Sequence, residues 1–291
     1  INTGKAFLTT GKPVYDGEDH LQRFDITGGD ILIEGKGLGG KETGSLAILS
    51  RAVKINAGIW AKDLHITTGA NTVDAKTLEA SAIEGKGGRP AFALDTAAIG
   101  GMYAGRITLV GTEKGLGVNN SGTWSAEDNL TLDWNGDLKN SGTIYSKGNT
   151  DLRASRLEND KTIAAGKDIT ISADGHVTNT GTVGAGINEA GGLTETGTLE
   201  IQSGRVDNRR GTLLAGNHLG ISSGSLSNEK GQISGYGTFH ASAEEINNTD
   251  GKISFIGDIS VKAKDIANDR GRLTTESLSL IHISEPTRHA Q

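Results

Sequence analysis

Short apolar stretches alternate with turn-forming residues along the whole chain. Residues 30–34, 63–67 and 168–171 are rich in branched side chains and are bounded by glycine, asparagine or aspartate, as short strands are. No stretch keeps apolar residues at helical spacing over three turns. The pattern therefore predicts an all-β chain of short strands without a long helix.

In the second half, an apolar residue, a variable residue and an asparagine recur in that order with a period near 20 residues. The asparagines are Asn120, Asn140, Asn159, Asn179, Asn208, Asn228, Asn248 and Asn268. A glycine follows two or three residues later in most copies, although Lys161 stands at that place in the third. One spacing, from Asn179 to Asn208, is 29 residues, which predicts a loop insertion at 186–193.

A period of this length indicates a stacked repeat, because a 20-residue unit cannot bury its apolar face alone. The predicted fold is an all-β, right-handed parallel β-helix. Equivalent residues of successive coils are then stacked on one another. Asparagines at a fixed corner can form side-chain amide hydrogen bonds from one coil to the next, which makes a structural ladder. The following glycine is predicted to supply a turn residue with positive φ.

The composition fits a thin, repetitive structure and excludes some partners. Glycine accounts for 44 of 291 residues, only 34% are hydrophobic, and cysteine is absent, which excludes disulfides and thiolate metal sites. The net charge is −6 without a basic stripe, so no nucleic-acid partner is expected. No apolar run approaches the roughly 18 residues of a membrane-spanning helix.

The motifs that could carry chemistry are weak. Residues 35–40 fit G-x-G-x-x-G, but Gly44 interrupts the helix that a dinucleotide site needs, which favours a glycine-rich strand connection. Asp16 and Asp133 begin calcium-like stretches without the later bidentate glutamate. The histidines lack metal-ligand spacing, and acids do not recur in pairs at coil spacing. Neither cofactor, metal site nor catalytic residue is expected, and Trp60, Trp124 and Trp134 are expected to be packing residues.

The first part of the chain contains sequence that resembles a known export domain. The carrying stretches are 48–57, 60–64 and, more specifically, Pro90-Ala91-Phe92-Ala93-Leu94-Asp95, Gly100-Gly101-Met102-Tyr103-Ala104-Gly105 and residues 109–119. They resemble the haemagglutination-activity domain of two-partner-secretion exoproteins of the filamentous haemagglutinin and contact-dependent inhibition family. The later repeats resemble the haemagglutinin repeats of that family.

This resemblance implies the C-terminal part of a secretion domain at 1–120 and haemagglutinin-type β-helix repeats at 121–277. Residues 278–291 look like a translated sequencing adapter and are expected to be an artefact. The family implies a secreted adhesin at the bacterial outer surface, with a signal peptide upstream. Its expected partners are a dedicated outer-membrane β-barrel transporter and a host or neighbouring-cell receptor or glycan. Two alternatives are the stick of a contact-dependent growth inhibition toxin and, less favoured, a β-helical polysaccharide-degrading enzyme.

Overall fold

The computed structural model describes residues 4–40, 42–276 and 281–284, and these residues form strands and turns without a helix. The chain divides into two compact units. The first comprises residues 1–144 and 153–155, and the second comprises residues 145–152 and 156–291. The predicted border at residue 120 falls inside the first unit. Within the described residues, no helix is long and apolar enough to cross a membrane.

The described residues contain 33 strands. The first eighteen are β1 (Lys5–Thr9), β2 (Lys12–Tyr15), β3 (Leu21–Ile26), β4 (Asp30–Ile33), β5 (Leu38–Gly39), β6 (Ser45–Ser50), β7 (Ala52–Ile55), β8 (Gly58–Thr68), β9 (Asn71–Asp74), β10 (Ala80–Ala82), β11 (Phe92–Thr96), β12 (Gly101–Gly111), β13 (Gly117–Asn120), β14 (Thr123–Ala126), β15 (Leu130–Trp134), β16 (Leu138–Asn140), β17 (Thr143–Ser146) and β18 (Thr150–Ala154). The others are β19 (Leu157–Asn159), β20 (Thr162–Ala165), β21 (Ile169–Asn179), β22 (Thr182–Ala185), β23 (Thr198–Asp207), β24 (Thr212–Ala215), β25 (His218–Ser227), β26 (Gln232–Gly235), β27 (Thr238–Ser242), β28 (Glu245–Asn247), β29 (Lys252–Phe255), β30 (Ile259–Lys262), β31 (Asp265–Ala267), β32 (Arg272–Thr275) and β33 (Ile281–Ser284).

The first unit is a parallel β-helix with three faces. Face A contains β4, β7, β11, β13 and β16. Face B contains β5, the first halves of β8 and β12, and β14. Face C contains β1, β6, the second halves of β8 and β12, and β15. Each long strand therefore turns a corner and serves two faces.

An antiparallel sheet covers part of face C in the first unit. Strands β2, β3, β9 and β10 form it. Phe24, Ile26 and Val73 from this sheet pack with Ala47 and Leu49 of β6 in one buried cluster. Because Leu46 and Ile48 of the same strand are also buried, β6 is apolar on both sides. Such a strand reads as a continuous apolar run, unlike a half-exposed strand.

The second unit repeats one coil in strict register, with the same three faces. On face B, Leu213 lies opposite Ile233, Ile233 opposite Ile253, and Ile253 opposite Leu273. Inward side chains alternate with outward ones along each strand, as the two-residue period of a strand requires. The apolar interior thus consists of columns of stacked side chains, and each coil contributes one residue to each column. The predicted all-β parallel β-helix is confirmed.

The chain departs from this register at two places in the second unit. The residues added between Asn179 and Asn208 lie in the connection from β22 to β23, where Ile187 and Leu193 form an isolated antiparallel bridge. At the other place, the backbone of β33 pairs in parallel with β30. The origin of residues 278–291 stays a prediction, and 278–280 and 285–291 lie outside the described residues.

Candidate functional site

The asparagines of the predicted ladder lie at one corner, where face A ends. Each ends a face A strand or follows its last residue, two positions after an inward apolar side chain. The strand period consequently points the amide inward. All are fully buried or 1% exposed except Asn268, which is exposed.

Amide-to-amide hydrogen bonds connect these side chains along each unit. In the first unit, Asn120 Nδ2 donates to Asn140 Oδ1 at 2.8 Å. In the second, each asparagine donates to the next at 2.7 Å, a series that runs from Asn159 through Asn179, Asn208, Asn228 and Asn248 to Asn268. The donors and acceptors repeat because the coils repeat, so each added coil extends the series by one bond.

The ladder amides also satisfy backbone carbonyls of the corner. Asn228 Nδ2 lies 3.3 Å from the Gly231 oxygen of its own coil and 3.3 Å from the Lys252 oxygen of the next. Its Oδ1 accepts from Asn208. Both polar atoms of this buried amide therefore have partners, and an alanine there would remove the donor to Asn248 Oδ1 and one acceptor of Asn208 Nδ2 in the interior.

The corner turns follow two patterns. One residue separates asparagine from glycine in the early copies, as in Asn179 and Gly181, whereas two residues separate them from Asn208 onward. In the longer turns the glycine N–H donates to the carbonyl of the asparagine three residues earlier, at 3.0–3.1 Å. The residue before the glycine has positive φ, with values of 62° for Arg210, 56° for Lys230, 55° for Asp250 and 52° for Arg270.

The prediction that glycine supplies the positive φ is therefore wrong, because Gly122, Gly142 and Gly181 of the shorter turns lie outside the left-handed region as well. Gly231 is outside the left-handed region, and Lys230 occupies it instead. What requires glycine is space, because a Cβ on Gly231 would collide with the Asn208 carbonyl of the preceding coil. The same collision recurs at Gly211, Gly251 and Gly271. Glycine lets consecutive coils close over the asparagine corner.

A charged cleft of about 330 Å³ lies outside this corner. Its most buried charge is Asp207, which accepts from Arg209 Nη2 at 2.6 Å and Arg205 Nη2 at 3.2 Å. Burial alone would raise the pKa of Asp207, but hydrogen bonds from the Arg209 side chain and backbone lower it overall. Two guanidinium groups already neutralise Asp207, so this carboxylate is not available as a free base.

The first unit contains a buried ion pair that sequence reasoning missed. Arg51 binds Glu113 through two hydrogen bonds of 2.9 and 3.0 Å, and it also donates to the Lys86 and Gly88 carbonyls. This pairing holds the pKa of Glu113 below its ordinary value, and Glu113 also accepts from the Ala70 N–H. The partners are 62 residues apart, so no spacing in the sequence could have paired them.

The weak motifs form turns in the structure. Gly35 and Gly37 have positive φ and connect β4 to β5, so the G-x-G-x-x-G stretch opens a strand. Asp16 Oδ1 accepts from the N–H groups of Glu18 and His20 in a tight turn, which lowers the pKa of Asp16. Among the described residues, no group of three or more histidine, aspartate or glutamate side chains is placed to hold a metal.

The tryptophans separate into two kinds. Trp124 and Trp134 are buried, and their indole N–H groups donate to Thr96 Oγ1 at 3.0 Å and the Leu116 carbonyl at 2.7 Å. Trp60 differs from the expected packing role, because it is 38% exposed and stacks on Tyr103. The available signal was Gly-x-aromatic at 58–60 and again at 101–103.

Comparison with known proteins finds a family match for each of the two parts of the chain. The TPS secretion domain matches residues 1–144, and the haemagglutinin repeat matches residues 182–243 and 232–281. The first match therefore covers nearly all of the first unit, and the second covers coils that carry the ladder. No solved structure matches the chain significantly.

Curated relatives match half to three quarters of this chain but are far longer. A tRNA nuclease CdiA of Yersinia mollaretii is 36% identical over 228 residues, 71% of this chain and 8% of the relative. A toxin CdiA of Escherichia coli is 36% identical over 222 residues, 75% of this chain and 7% of the relative. A tRNA nuclease CdiA of Escherichia coli strain NC101 is 44% identical over 153 residues, 51% of this chain and 5% of the relative. The chain thus spans less than a tenth of these relatives. With a matching secretion domain, matching repeats and a parallel β-helix, it belongs to the two-partner-secretion exoproteins of the filamentous haemagglutinin and contact-dependent inhibition family.

Proposed function

We propose that this protein is a bacterial exoprotein that a dedicated outer-membrane β-barrel transporter exports, and that its coils act as a β-helical rod at the cell surface. The match of the secretion domain to residues 1–144, followed by coils that match haemagglutinin repeats, is the observation that carries the proposal. In this role the first unit is the export signal and the second is structural.

The fold gives this proposal a physical basis. Each coil of the second unit pairs with the coil before it, so a chain that emerges from a pore can add coils one at a time. Each new asparagine finds the donor of the previous coil already in place. The absence of cysteine leaves no disulfide that would have to form before or after passage.

The experiment is a secretion assay in a strain that makes the transporter, with a natural signal peptide fused before residue 1. Deletion of residues 4–118 should abolish the protein at the surface. A matched deletion of residues 209–248 removes two whole 20-residue coils and joins Asn208 to Thr249 in register, so export should persist. Loss of export in both variants, or in neither, would contradict the assignment of the export signal to the first unit.

A second candidate role is the stick of a contact-dependent toxin, and the names of the relatives favour it, since they are called tRNA nucleases and toxins. In this role, as in the adhesin role, the chain itself carries no catalytic centre and binds no nucleic acid, consistent with its net charge of −6. Co-culture of a non-producing strain with a strain that makes the complete natural protein separates the two roles, because a stick that bears a toxin inhibits its neighbour and an adhesin binds cells without inhibition. Cleavage of tRNA by the purified chain would contradict both.

A further inference from the structure

Two aromatic side chains on neighbouring coils of the first unit form an exposed pair, here called the aromatic platform. Trp60 of β8 and Tyr103 of β12 are register partners on face B. Their ring centroids lie 5.9 Å apart with an angle of 15° between the planes. The two residues are 38% and 39% exposed, so both remain accessible to solvent.

Glycines make room for both rings to lie down along the sheet. Gly58 and Gly101 precede the aromatic residues by two positions and are themselves register partners. A Cβ on Gly58 would collide with the indole ring, and one on Gly101 would lie 2.8 Å from the tyrosine ring. Each ring therefore occupies the space that a side chain on its own strand would fill. The same Gly-x-aromatic pattern on adjacent coils places the two rings beside each other on face B with nearly parallel planes.

The register partners that flank the aromatic platform on the adjoining coils carry small or hydroxyl side chains. Gly39 is the register partner of Trp60 on one side. On the other side Thr123 and Ser125 are the register partners of Gly101 and Tyr103, and both are half-buried. No charged side chain occupies these register positions. The rings are thus bordered by hydroxyl groups that can donate or accept hydrogen bonds.

This combination selects among possible ligands. An aromatic face carries a negative quadrupole, which attracts weakly positive C–H groups. The flat face of a neutral pyranose presents C–H groups to a ring and hydroxyl groups around its edge. Two rings with hydroxyl neighbours match two consecutive sugars, whereas a stable protein partner needs on the order of 800 Å² on each side, much more than two side chains provide.

We propose that the aromatic platform binds a neutral, β-linked glycan chain, with Trp60 and Tyr103 each stacking on one sugar and with Thr123 and Ser125 bonding to its hydroxyl groups. This inference rests on the proposed function only because surface display would give the aromatic platform access to a glycan. The binding itself is a property of the purified chain and can be measured without display. A pair with a purely structural role would stabilise the first unit without binding sugar.

The test is isothermal titration of the full 291-residue chain with cellohexaose and with chitohexaose. A dissociation constant on the order of 10⁻⁴ M is expected for so small a site. Trp60→Ala and Tyr103→Ala should each weaken binding about tenfold, whereas Trp60→Phe should retain most of it. Tyr236→Ala removes an equally exposed tyrosine, 41% exposed, from the second unit and should leave binding unchanged.

Tryptophan fluorescence gives a second readout that does not need a stable alanine variant. Trp124 and Trp134 are buried, so a change in emission on addition of sugar should come from Trp60 and vanish in Trp60→Phe. Absence of binding to both hexasaccharides at millimolar concentration would overturn the proposal, as would unchanged binding by Trp60→Ala. Because these measurements need no transporter, a failed secretion assay would refute the proposed export and leave the binding result standing.

Discussion

The two units of this protein stabilise the same kind of coil in different ways. The first relies on contacts that occur once, such as the Arg51–Glu113 ion pair and the antiparallel sheet over β6. The second relies on one contact that recurs at each coil, the asparagine hydrogen bond. One substitution can remove all of a contact that occurs once. In the second unit, one substitution removes only one copy of a contact that contributes to stability at many similar sites. The comparison teaches that a solenoid needs individual long-range contacts where its repeat is irregular.

The largest expected effect is at the ion pair of the first unit. Arg51→Ala leaves Glu113 partly buried without its partner and releases the Lys86 and Gly88 carbonyls, so we expect the first unit to lose about 3–5 kcal/mol of unfolding free energy. Arg270→Ala is the matched control, since Arg270 is 67% exposed in its cross-coil pair with Asp250 and should contribute much less to stability. Urea unfolding followed by hydrogen exchange measures the loss of unfolding free energy in each variant. Equal losses in Arg51→Ala and Arg270→Ala would contradict the contrast between the units.

Acid should affect the first unit before the second. His65 is buried beside Thr67, which lowers its pKa from 6.5 to about 4, so the folded state stays neutral where the unfolded chain binds a proton. Stability is therefore lost as the pH falls from about 6.5 to about 4, by about 3 kcal/mol in total.

In the second unit, Asp207 has a lowered pKa, so its contribution is lost only as the pH falls below the ordinary aspartate value of 3.8. Unfolding free energies of the wild type and His65→Gln, measured at pH 7 and pH 4.5, test this order. An equally large pH effect in the variant would contradict the role of His65.

Removal of one amide from the ladder should have a moderate effect. Asn228→Ala removes the donor to Asn248 Oδ1, one acceptor of Asn208 Nδ2 and the bond to the Lys252 carbonyl, so we expect a loss of about 1–3 kcal/mol. Asn268→Ala is the control, because this residue is exposed and should change stability by less than about 0.5 kcal/mol. A melting temperature of Asn228→Ala that equals the wild type would refute a stabilising ladder.

Two substitutions at the corner turn separate the need for space from the need for a particular backbone conformation. Gly231→Ala should destabilise by about 1–3 kcal/mol, because the added Cβ meets the Asn208 carbonyl. Lys230→Gly should change stability by less than about 1 kcal/mol in the favourable direction, since it relieves a positive φ of 56°. Thermal unfolding of the two variants measures these changes in stability. If Lys230→Gly destabilised the protein more than Gly231→Ala, backbone conformation rather than space would be the requirement at this turn.

Much of the second unit could be predicted because its information is local and periodic. The spacing of Asn208, Asn228 and Asn248 fixed the coil length, the register and the corner at which the structure places them. The first unit was less predictable because its stabilising partners are far apart in the chain. Neither the pairing of Arg51 with Glu113 nor the antiparallel sheet that packs on β6 produces a periodic pattern in the sequence.

The sequence by itself determined the all-β class, the 20-residue repeat, the place of the insertion after Asn179 and the family to which the chain belongs. Tertiary structure alone decided why glycine follows the longer corner turns and which tryptophan is exposed. The physical reason is that periodicity records which positions face inward, but clearance between coils depends on atoms of the preceding coil. Gly231 is needed because of Asn208, and Trp60 lies flat because Gly58 leaves room.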